Sequence, residues 1–286
     1  MTPPQHPGDA LRWWVQQRGG PACIGIDPVL EKLPSAVTGA TPLARIESWC
    51  LALLDAVEPH AAAVKFQSAC FERYGSAGVA TLERCLTAAR GRFLVILDWK
   101  RGDIGVSSEH YAAAASGPLA CDFVTASPYL GTDGFDPFLK LGLGVFGLVR
   151  TSNASGDVVQ SPAMAAGGTV AEMVGAFTSA QGANWRGASG WSALGGVVGA
   201  TKAADAARLR AQMPHTPFLV PGFGAQGGGL DDVLACFDAR GEGALVTASR
   251  SVIYAEGPGA WTDAVRVAAR ALCEQLSGAL SSRVLT

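Results

Sequence analysis

The chain has 286 residues, of which 49% are hydrophobic and 16% are charged, and its formal net charge is −2. This balance offers no basic surface for nucleic acid, and no apolar run is long enough to cross a bilayer. We therefore expect a protein that binds neither nucleic acid nor membrane. The length is sufficient for one large domain or two ordinary ones.

The cysteines and the N-terminal residues indicate a cellular compartment. Seven cysteines are scattered without a C-x-x-C pair, and the first ten residues are polar and rich in proline. These patterns indicate neither a disulfide framework nor a secretory signal. We expect reduced core cysteines and a cytoplasmic location.

Strand and helix patterns alternate along the whole chain. A short helix at residues 10–18 precedes a first strand at 23–26, which Pro28 prevents from continuing. Seven further strands are predicted. The third strand of the chain begins at residue 93 and continues into the charged residues that follow. The others lie at residues 62–66, 120–126, 145–150, 194–198, 218–220 and 244–248. The helices between and after them are predicted at residues 41–57, 78–89, 106–115, 134–141, 170–180, 202–212, 230–237 and 259–276, followed by a polar tail.

Eight such units predict an α/β fold, a closed (β/α)8 TIM barrel that forms a single domain over residues 1–286. A doubly wound open sheet is the alternative. The Gly-, Ala- and Ser-rich section at residues 154–190 is too long for a simple connection. We expect part of it to form a mobile flap over the site.

A charged cluster follows the apolar part of the third strand. Asp98 and Lys100 are two residues apart, so on an extended backbone their side chains leave the same face. Asp103 follows in a loop. Crowded charges of this kind are typical of catalytic sites, although a solvated strand end gives the same pattern.

Other polar residues are predicted at the carboxyl ends of strands, where (β/α)8 barrels form their active sites. Asp27, Lys65, Ser152 and Arg250 end or follow the first, second, fifth and eighth strands. We expect them to share one site with the charged cluster.

The seventh strand is followed by a glycine-rich loop. Gly222, Gly224 and Gly227 match G-x-G-x-x-G, but a dinucleotide-binding loop belongs in the first turn of an open sheet. In barrels, the loops after strands seven and eight bind phosphate, and Arg250 would add a cation there. We predict a phosphorylated substrate, with a merely flexible loop as the alternative.

The case for a metal is weak. The four histidines are dispersed, and none pairs with a second ligand at helical or strand spacing. Asp98 and Asp103 are able to hold Mg²⁺, but Lys100 between them already supplies a positive charge. We predict no metal site.

Taken together, these residues resemble the orotidine 5′-phosphate decarboxylase family, most closely its longer bacterial (type 2) branch. The resemblance is carried by D-x-K-x-x-D-I at residues 98–104, by the preceding Val64-Lys65 and by P-G-x-G-A-Q-G-G at 221–228. Further matching segments are residues 25–28, 127–131, 150–153, 198–201 and 249–250.

The resemblance implies decarboxylation of orotidine 5′-phosphate to UMP and CO2, the last step of UMP biosynthesis, without metal or organic cofactor. Lys100 would protonate C6 of the pyrimidine, and Asp98 would lie beside the substrate carboxylate and orient Lys100. Lys65 would complete the charge network. The enzyme would be a homodimer in which Asp103 completes the neighbouring site, and Ser107, where the family usually has threonine, would contact the neighbour's ribose.

The resemblance also assigns the remaining contacts with this nucleotide substrate. Asp27 would bind a ribose hydroxyl, and Ser152 would bind the base. The phosphate would be held by Gln226, Arg250 and the backbone of residues 222–228, including Gly222 and Gly224.

Two other functions remain open from the sequence. A Mg²⁺-dependent sugar-phosphate decarboxylase or aldolase of the same barrel group typically carries Glu where Asp98 stands. A non-catalytic barrel that binds a nucleotide is the second alternative.

Overall fold

The computed structural model describes residues 2–224 and 227–284. All neighbouring strands are parallel, and the last strand pairs with the first, which closes an eight-stranded barrel. The strands are Ala22–Ile26 (β1), Ala63–Gln67 (β2), Leu94–Arg101 (β3), Phe123–Ala126 (β4), Gly144–Arg150 (β5), Leu194–Val198 (β6), Phe218–Val220 (β7) and Ala244–Ala248 (β8). The prediction of a single-domain (β/α)8 barrel is confirmed, because an open sheet would leave its outermost strands unpaired.

Helices connect and enclose the strands. They are Pro7–Arg18 (α1), Pro42–Val57 (α2), Ala69–Glu72 (α3), Gly75–Ala89 (α4), Gly105–Ser116 (α5), Asp136–Lys140 (α6), Asp157–Gln160 (α7), Val170–Gly182 (α8), Ala203–Gln212 (α9), Leu230–Leu234 (α10), Arg250–Ile253 (α11) and Trp261–Val284 (α12). None of the described helices combines the length and the apolar character needed to cross a membrane.

The barrel interior is filled by apolar side chains. Alternate strand residues such as Leu94 and Ile96 of β3 form one cluster, in which the rings of Phe123 and Phe146 stack with centroids 4.6 Å apart. Trp14 of α1 joins this cluster. Because side chains alternate along a strand, the residues two positions beyond this cluster point into the mouth of the barrel.

A larger apolar core lies between the strands and the helices. The outward-facing Ile24, Val64 and Val95 pack in one cluster with Trp49 and Leu53 of α2. Fully burying an aliphatic side chain stabilises a fold by about 1.5–3 kcal/mol, so this core holds the helices against the barrel.

Several element boundaries differ from the prediction, and two of the differences have a clear physical cause. β4 begins at Phe123 rather than at residue 120, because Ala120 has φ of 42° and forms a turn. The polar tail predicted after residue 276 is wrong, because α12 continues to Val284. Leu276 and Leu280, one helical turn apart, are both buried, so the apolar stripe extends past the predicted end.

The section at residues 154–190 contains α7 and α8. The side chain of Thr169 accepts a hydrogen bond from the Glu172 N–H, and the Glu172 carboxylate accepts one from Thr169, which fixes the start of α8. The start of α7 is tied to the barrel, because Asp157 lies 2.8 Å from the buried guanidinium of Arg150 and 2.9 Å from the Lys202 ammonium. The expected mobility of this section stays a prediction.

Candidate active site

A cavity of about 310 Å³ opens at the carboxyl ends of the strands. Seven predicted site residues line it: Asp27, Lys65, Asp98, Lys100, Ser152, Gly222 and Arg250. The rest of its lining is Gln67, Thr125, Leu148, Thr151, Asn153, Val197, Leu219, Pro221, Phe223, Thr247 and Ser249. The structure therefore gathers residues from all eight strands and their following loops around one space.

Asp98 is the centre of the charged cluster, and each of its carboxylate oxygens accepts a hydrogen bond from one ammonium. Lys65 Nζ lies 2.7 Å from Oδ2, and Lys100 Nζ lies 2.5 Å from Oδ1. The side chains of Lys65 and Asp98 are 8% and 9% exposed, whereas that of Lys100 is 49% exposed. Lys100 is thus the lysine of this cluster that a bound molecule can reach.

The charges in this cluster stabilise one another. Burial alone raises the pKa of Asp98, but the charges and hydrogen bonds of Lys65 and Lys100 outweigh it and hold the pKa well below its usual range. Burial alone lowers the pKa of Lys65, but the charges of Asp98 and Asp27 outweigh it and raise the pKa. At neutral pH, Asp98 is therefore a carboxylate and Lys65 an ammonium ion.

The backbone of β3 is irregular where it carries the cluster. Its pairing with β4 shifts register between Leu97 and Arg101, and Lys100 adopts a left-handed conformation with φ of 49°. The predicted meeting of the Asp98 and Lys100 side chains is confirmed. The expected regular extended backbone is not observed, because the bulge interrupts it.

Asp27 is the second carboxylate near Lys65. Its Oδ1 is 4.0 Å from Lys65 Nζ, and this buried oxygen has no hydrogen-bonding partner among the described residues. The Tyr254 hydroxyl accepts a hydrogen bond from the Val29 N–H (2.8 Å) and donates one to the Asp27 carbonyl (3.1 Å), which fixes the loop. Because Asp27 lines the cavity and its side chain is 33% exposed, its carboxylate is suited to accept a hydrogen bond from a ligand hydroxyl.

The glycine-rich loop after β7 is folded back on itself. Gly222, Gly224 and Gly227 have positive φ values of 95°, 69° and 92°, which only glycine adopts readily. The N–H of Gly224 donates to the carbonyl of Gly228, and Gly224 does not line the cavity, whereas Gly222 does. The predicted phosphate ligand Gln226 lies outside the described residues.

Arg250 stands beside this loop at the start of α11. Its side chain is exposed and lines the cavity, and no carboxylate in the described part of the chain forms an ion pair with it. A guanidinium at the mouth of a cavity, beside the loop after strand seven, is suited to bind a phosphate in bidentate fashion.

Besides Gly224, two further predicted site residues, Asp103 and Ser107, lie outside the cavity of their own chain. The Asp103 carboxylate accepts a hydrogen bond from the Ile104 N–H at 2.9 Å, just before α5. Ser107 is exposed in the first turn of α5. Neither residue is among those that line the space around Lys100.

The eleven further lining residues were missed by the sequence reasoning, and two of them contact the charged cluster directly. Gln67 Nε2 donates to Asp98 Oδ2 at 3.2 Å, and the Thr125 hydroxyl donates to Asp98 Oδ1 at 2.9 Å. Tyr254, which holds the Asp27 loop from outside the cavity, was also missed. The two-residue period of a strand was an available signal, because Gln67 follows Lys65 and Thr125 follows the interior Phe123 at this spacing.

A protein metal site requires several His, Cys, Asp or Glu side chains to converge on one point. In residues 2–224 and 227–284, no group of three or more His, Cys, Asp or Glu side chains is arranged to hold a metal ion. Both oxygens of Asp98 already accept hydrogen bonds from lysine ammonium groups. The positive charge in the cavity is therefore supplied by the protein itself.

The fold and the site define a (β/α)8-barrel enzyme whose lysines and carboxylates surround a pocket with a cation at its rim. Residues 22–265 match the model of the orotidine 5′-phosphate decarboxylase / HUMPS family. This chain belongs to that family. The resemblance seen in the sequence is confirmed at this level, and its assignment to the longer bacterial branch stays a prediction.

Individual relatives agree with the family match. The orotidine 5′-phosphate decarboxylase of Rhodopirellula baltica is 37% identical over 92% of this chain and 96% of its own length. That of a Nocardioides species is 40% identical over 90% of this chain and 95% of its own length. The solved structure of Leishmania donovani OMP decarboxylase is 30% identical, with a TM-score of 0.81, over 98% of this chain and all of the other.

Proposed function

We propose that this protein decarboxylates orotidine 5′-phosphate to UMP and CO2, the last step of UMP biosynthesis, without metal or organic cofactor. The observation that carries the proposal is the Lys65–Asp98–Lys100 cluster, with the Lys100 ammonium open to a cavity that has Arg250 at its rim. Family membership agrees with this reaction. We further propose a cytoplasmic location, supported by seven free cysteine thiols.

The chemistry requires stabilisation of charge at one carbon. The bond between C6 and the carboxylate breaks, CO2 leaves, and the electron pair remains on C6. The Lys100 ammonium then donates a proton to C6 and is itself reprotonated from solvent. Because this ammonium is held by Asp98 before substrate arrives, it stabilises the developing negative charge without reorganisation.

The remaining lining residues are proposed to bind the nucleotide. The Asp27 carboxylate would accept a hydrogen bond from a ribose hydroxyl, and Ser152 would contact the base. Arg250, Gly222 and Gln226 would hold the phosphate. Gly224 would support this contact by shaping the loop, since its own N–H donates to the Gly228 carbonyl.

The experiment that tests the proposal is the ultraviolet absorbance of orotidine 5′-phosphate mixed with the purified protein and a chelator. We expect the spectrum to change to that of UMP. Activity that disappears with chelator and returns with Mg²⁺ would favour the sugar-phosphate enzymes of the same barrel group. Binding of UMP without turnover of orotidine 5′-phosphate would favour a non-catalytic barrel.

Replacing Arg250 with alanine tests the phosphate site. A hydrogen-bonded charge pair is worth about 1.5–3 kcal/mol, so we expect kcat/KM for orotidine 5′-phosphate to fall roughly 10- to 150-fold. The nucleoside orotidine has no phosphate, so it should react equally slowly with the wild-type enzyme and with Arg250→Ala. Arg266→Ala, at an exposed ion pair on α12, is the matched control. Equal losses with both substrates would contradict the assignment.

We also propose that the enzyme is a homodimer in which Asp103 and Ser107 enter the partner's site. Both residues lie outside their own cavity. Ile104 and Val106, beside them, are 53% and 66% exposed, and Tyr129, on a neighbouring loop, is 88% exposed. An apolar patch of this kind marks an interaction surface, and a second copy of the chain would cover it.

Mixing two inactive variants tests this arrangement. Lys100→Ala and Asp103→Asn should each be inactive, but in a mixed dimer one site receives wild-type residues from both subunits. After random exchange, we expect about a quarter of the wild-type activity, because half of the dimers are mixed and each has one intact site. The control is a mixture of Lys100→Ala and Asp98→Asn. Both residues serve the site of their own subunit, so a mixed dimer of these two variants has no intact site. Recovery in the control, or none in the first mixture, would refute the shared site.

We propose, finally, that α7 and its flanking residues are the moving part of the section at residues 154–190. Val158 and Val159 are 79% and 59% exposed, so this helix buries little apolar surface. Its attachment to the barrel is polar and runs through Asp157, which pairs with Arg150 and Lys202, and through Gln160, which hydrogen-bonds to Thr151. Hydrogen exchange with and without UMP would test this, and we expect protection of α7 amides to increase when UMP binds.

A further inference from the structure

The hydroxyl of Thr125 is the one group of β4 that contacts three parts of the charged segment of β3. It donates a hydrogen bond to Asp98 Oδ1 at 2.9 Å. It accepts hydrogen bonds from the backbone N–H groups of Trp99 at 2.9 Å and Lys100 at 3.0 Å. One donor and two lone pairs are the full capacity of a hydroxyl, so every hydrogen bond that Thr125 can make is directed at this segment.

The two N–H groups belong to the bulge of β3. Between Leu97 and Arg101 the strand leaves its register with β4, so these amides lose their usual ladder partners. The left-handed conformation of Lys100 costs a residue with a Cβ roughly 1–2 kcal/mol. The hydroxyl of Thr125 compensates this cost by replacing the missing backbone acceptors.

The third hydrogen bond of the Thr125 hydroxyl holds the Asp98 carboxylate. Asp98 Oδ1, to which the hydroxyl donates, is also the oxygen that accepts from Lys100 Nζ. Thr125 therefore fixes the backbone from which the Lys100 side chain starts and the carboxylate oxygen at which it ends. Thr125 is only 2% exposed, so these hydrogen bonds are largely shielded from solvent.

We infer that Thr125 is a positioning residue that aims the Lys100 ammonium at the reacting carbon. The inference rests on the proposed function and deepens it, because Thr125 acts through Asp98 and Lys100 rather than on the substrate. A misplacement of about 1 Å at a reacting group can cost on the order of 100-fold in rate. The loss is expected in kcat, because the groups proposed to bind the ribose and phosphate keep their positions.

Three variants separate positioning from folding. Thr125→Val removes the hydroxyl, preserves the shape and keeps a residue that favours strands. Thr125→Ser removes the methyl group and keeps the hydroxyl. Thr81→Val is the matched control, because the Thr81 hydroxyl is also buried and both donates (to Ala77 O) and accepts (from Arg84), but lies in α4 away from the cavity.

The measurements are kcat and KM for orotidine 5′-phosphate, affinity for UMP, and thermal unfolding. For Thr125→Val we expect kcat to fall on the order of 100-fold, with KM and UMP affinity little changed. Thr125→Ser should recover most of the wild-type kcat, and Thr81→Val should keep it.

Wild-type kcat in Thr125→Val would overturn the inference, and so would equal losses in the valine and serine variants. A comparable loss in Thr81→Val would also overturn it, since the effect would then be one of general stability. The proposed function fails separately, because an inactive wild-type protein in the same assay would be seen before any variant is compared.

Discussion

Replacing Lys100 with alanine is expected to abolish decarboxylation, with a fall in kcat of about 10⁴-fold or more. A positioned general acid contributes about 10²- to 10⁴-fold, and a pre-placed charge at the reacting atom adds about 10²- to 10³-fold. Lys65 cannot substitute for the missing group, because its ammonium is buried and already bonded to Asp98. The variant would still bind UMP, since Asp27 and Arg250 remain.

The measurement is the absorbance change of orotidine 5′-phosphate in chelator, together with UMP affinity. Lys140→Ala, at an exposed lysine on α6, is the matched control and should retain full activity. Lys100→Arg distinguishes charge from placement, because the guanidinium keeps the charge but differs in length and shape. Substantial turnover by Lys100→Ala with normal UMP binding would remove this lysine from the mechanism.

Replacing Asp98 with asparagine is expected to reduce both activity and stability. Lys100 loses the carboxylate that orients it, so kcat should fall about 10²- to 10⁴-fold. Lys65 remains buried, with Asp27 Oδ1 4.0 Å away as its remaining counter-charge. Removing one partner of a buried ion pair costs about 3–5 kcal/mol, which chemical denaturation would detect. Asp263→Asn, at the exposed pair with Arg266, should leave stability nearly unchanged.

The pH dependence of this stability difference follows from the two pKa shifts. The lowered pKa of Asp98 gives a contribution that is present above the ordinary value of 3.8 and is lost as pH falls through the lowered pKa. The raised pKa of Lys65 gives a contribution that is complete below 10.5 and is lost as pH rises through the raised pKa. The difference between wild type and Asp98→Asn should therefore be largest from about pH 4 to about pH 10 and shrink outside that range. A difference that grows towards acid pH would contradict the assigned ion pair.

The strands of the barrel were largely predictable from local patterns. β6, β7 and β8 have the bounds that their apolar runs predicted. The start of β4 was not predictable, because the residue type of Ala120 does not indicate its left-handed backbone conformation. The end of α12 was misread because Gly278 and the following serines are typical of loops, while the burial of Leu280 depends on packing against the rest of the fold.

The site was predictable where it follows from strand ends. Asp27, Lys65 and Asp98 could be assigned to one face by the rule that parallel strands finish at one edge. The two-residue strand period could place Thr125 at the mouth of the barrel, but it could not reveal its hydrogen bonds, because threonine is also a common β-branched residue of buried strands. The left-handed conformation of Lys100 depends on hydrogen bonds from the neighbouring strand, which local sequence does not encode.

The filled interior of the barrel governs how the products can leave. Below the charged layer, the space between the strands is occupied by stacked rings and aliphatic side chains, and Trp14 of α1 packs beneath them. The cavity beside Lys100 opens at the carboxyl ends of the strands. In the proposed mechanism, carbon dioxide would form beside Lys100 and leave through the mouth by which the nucleotide enters. Release of the gas and dissociation of the nucleotide would thus use the same opening.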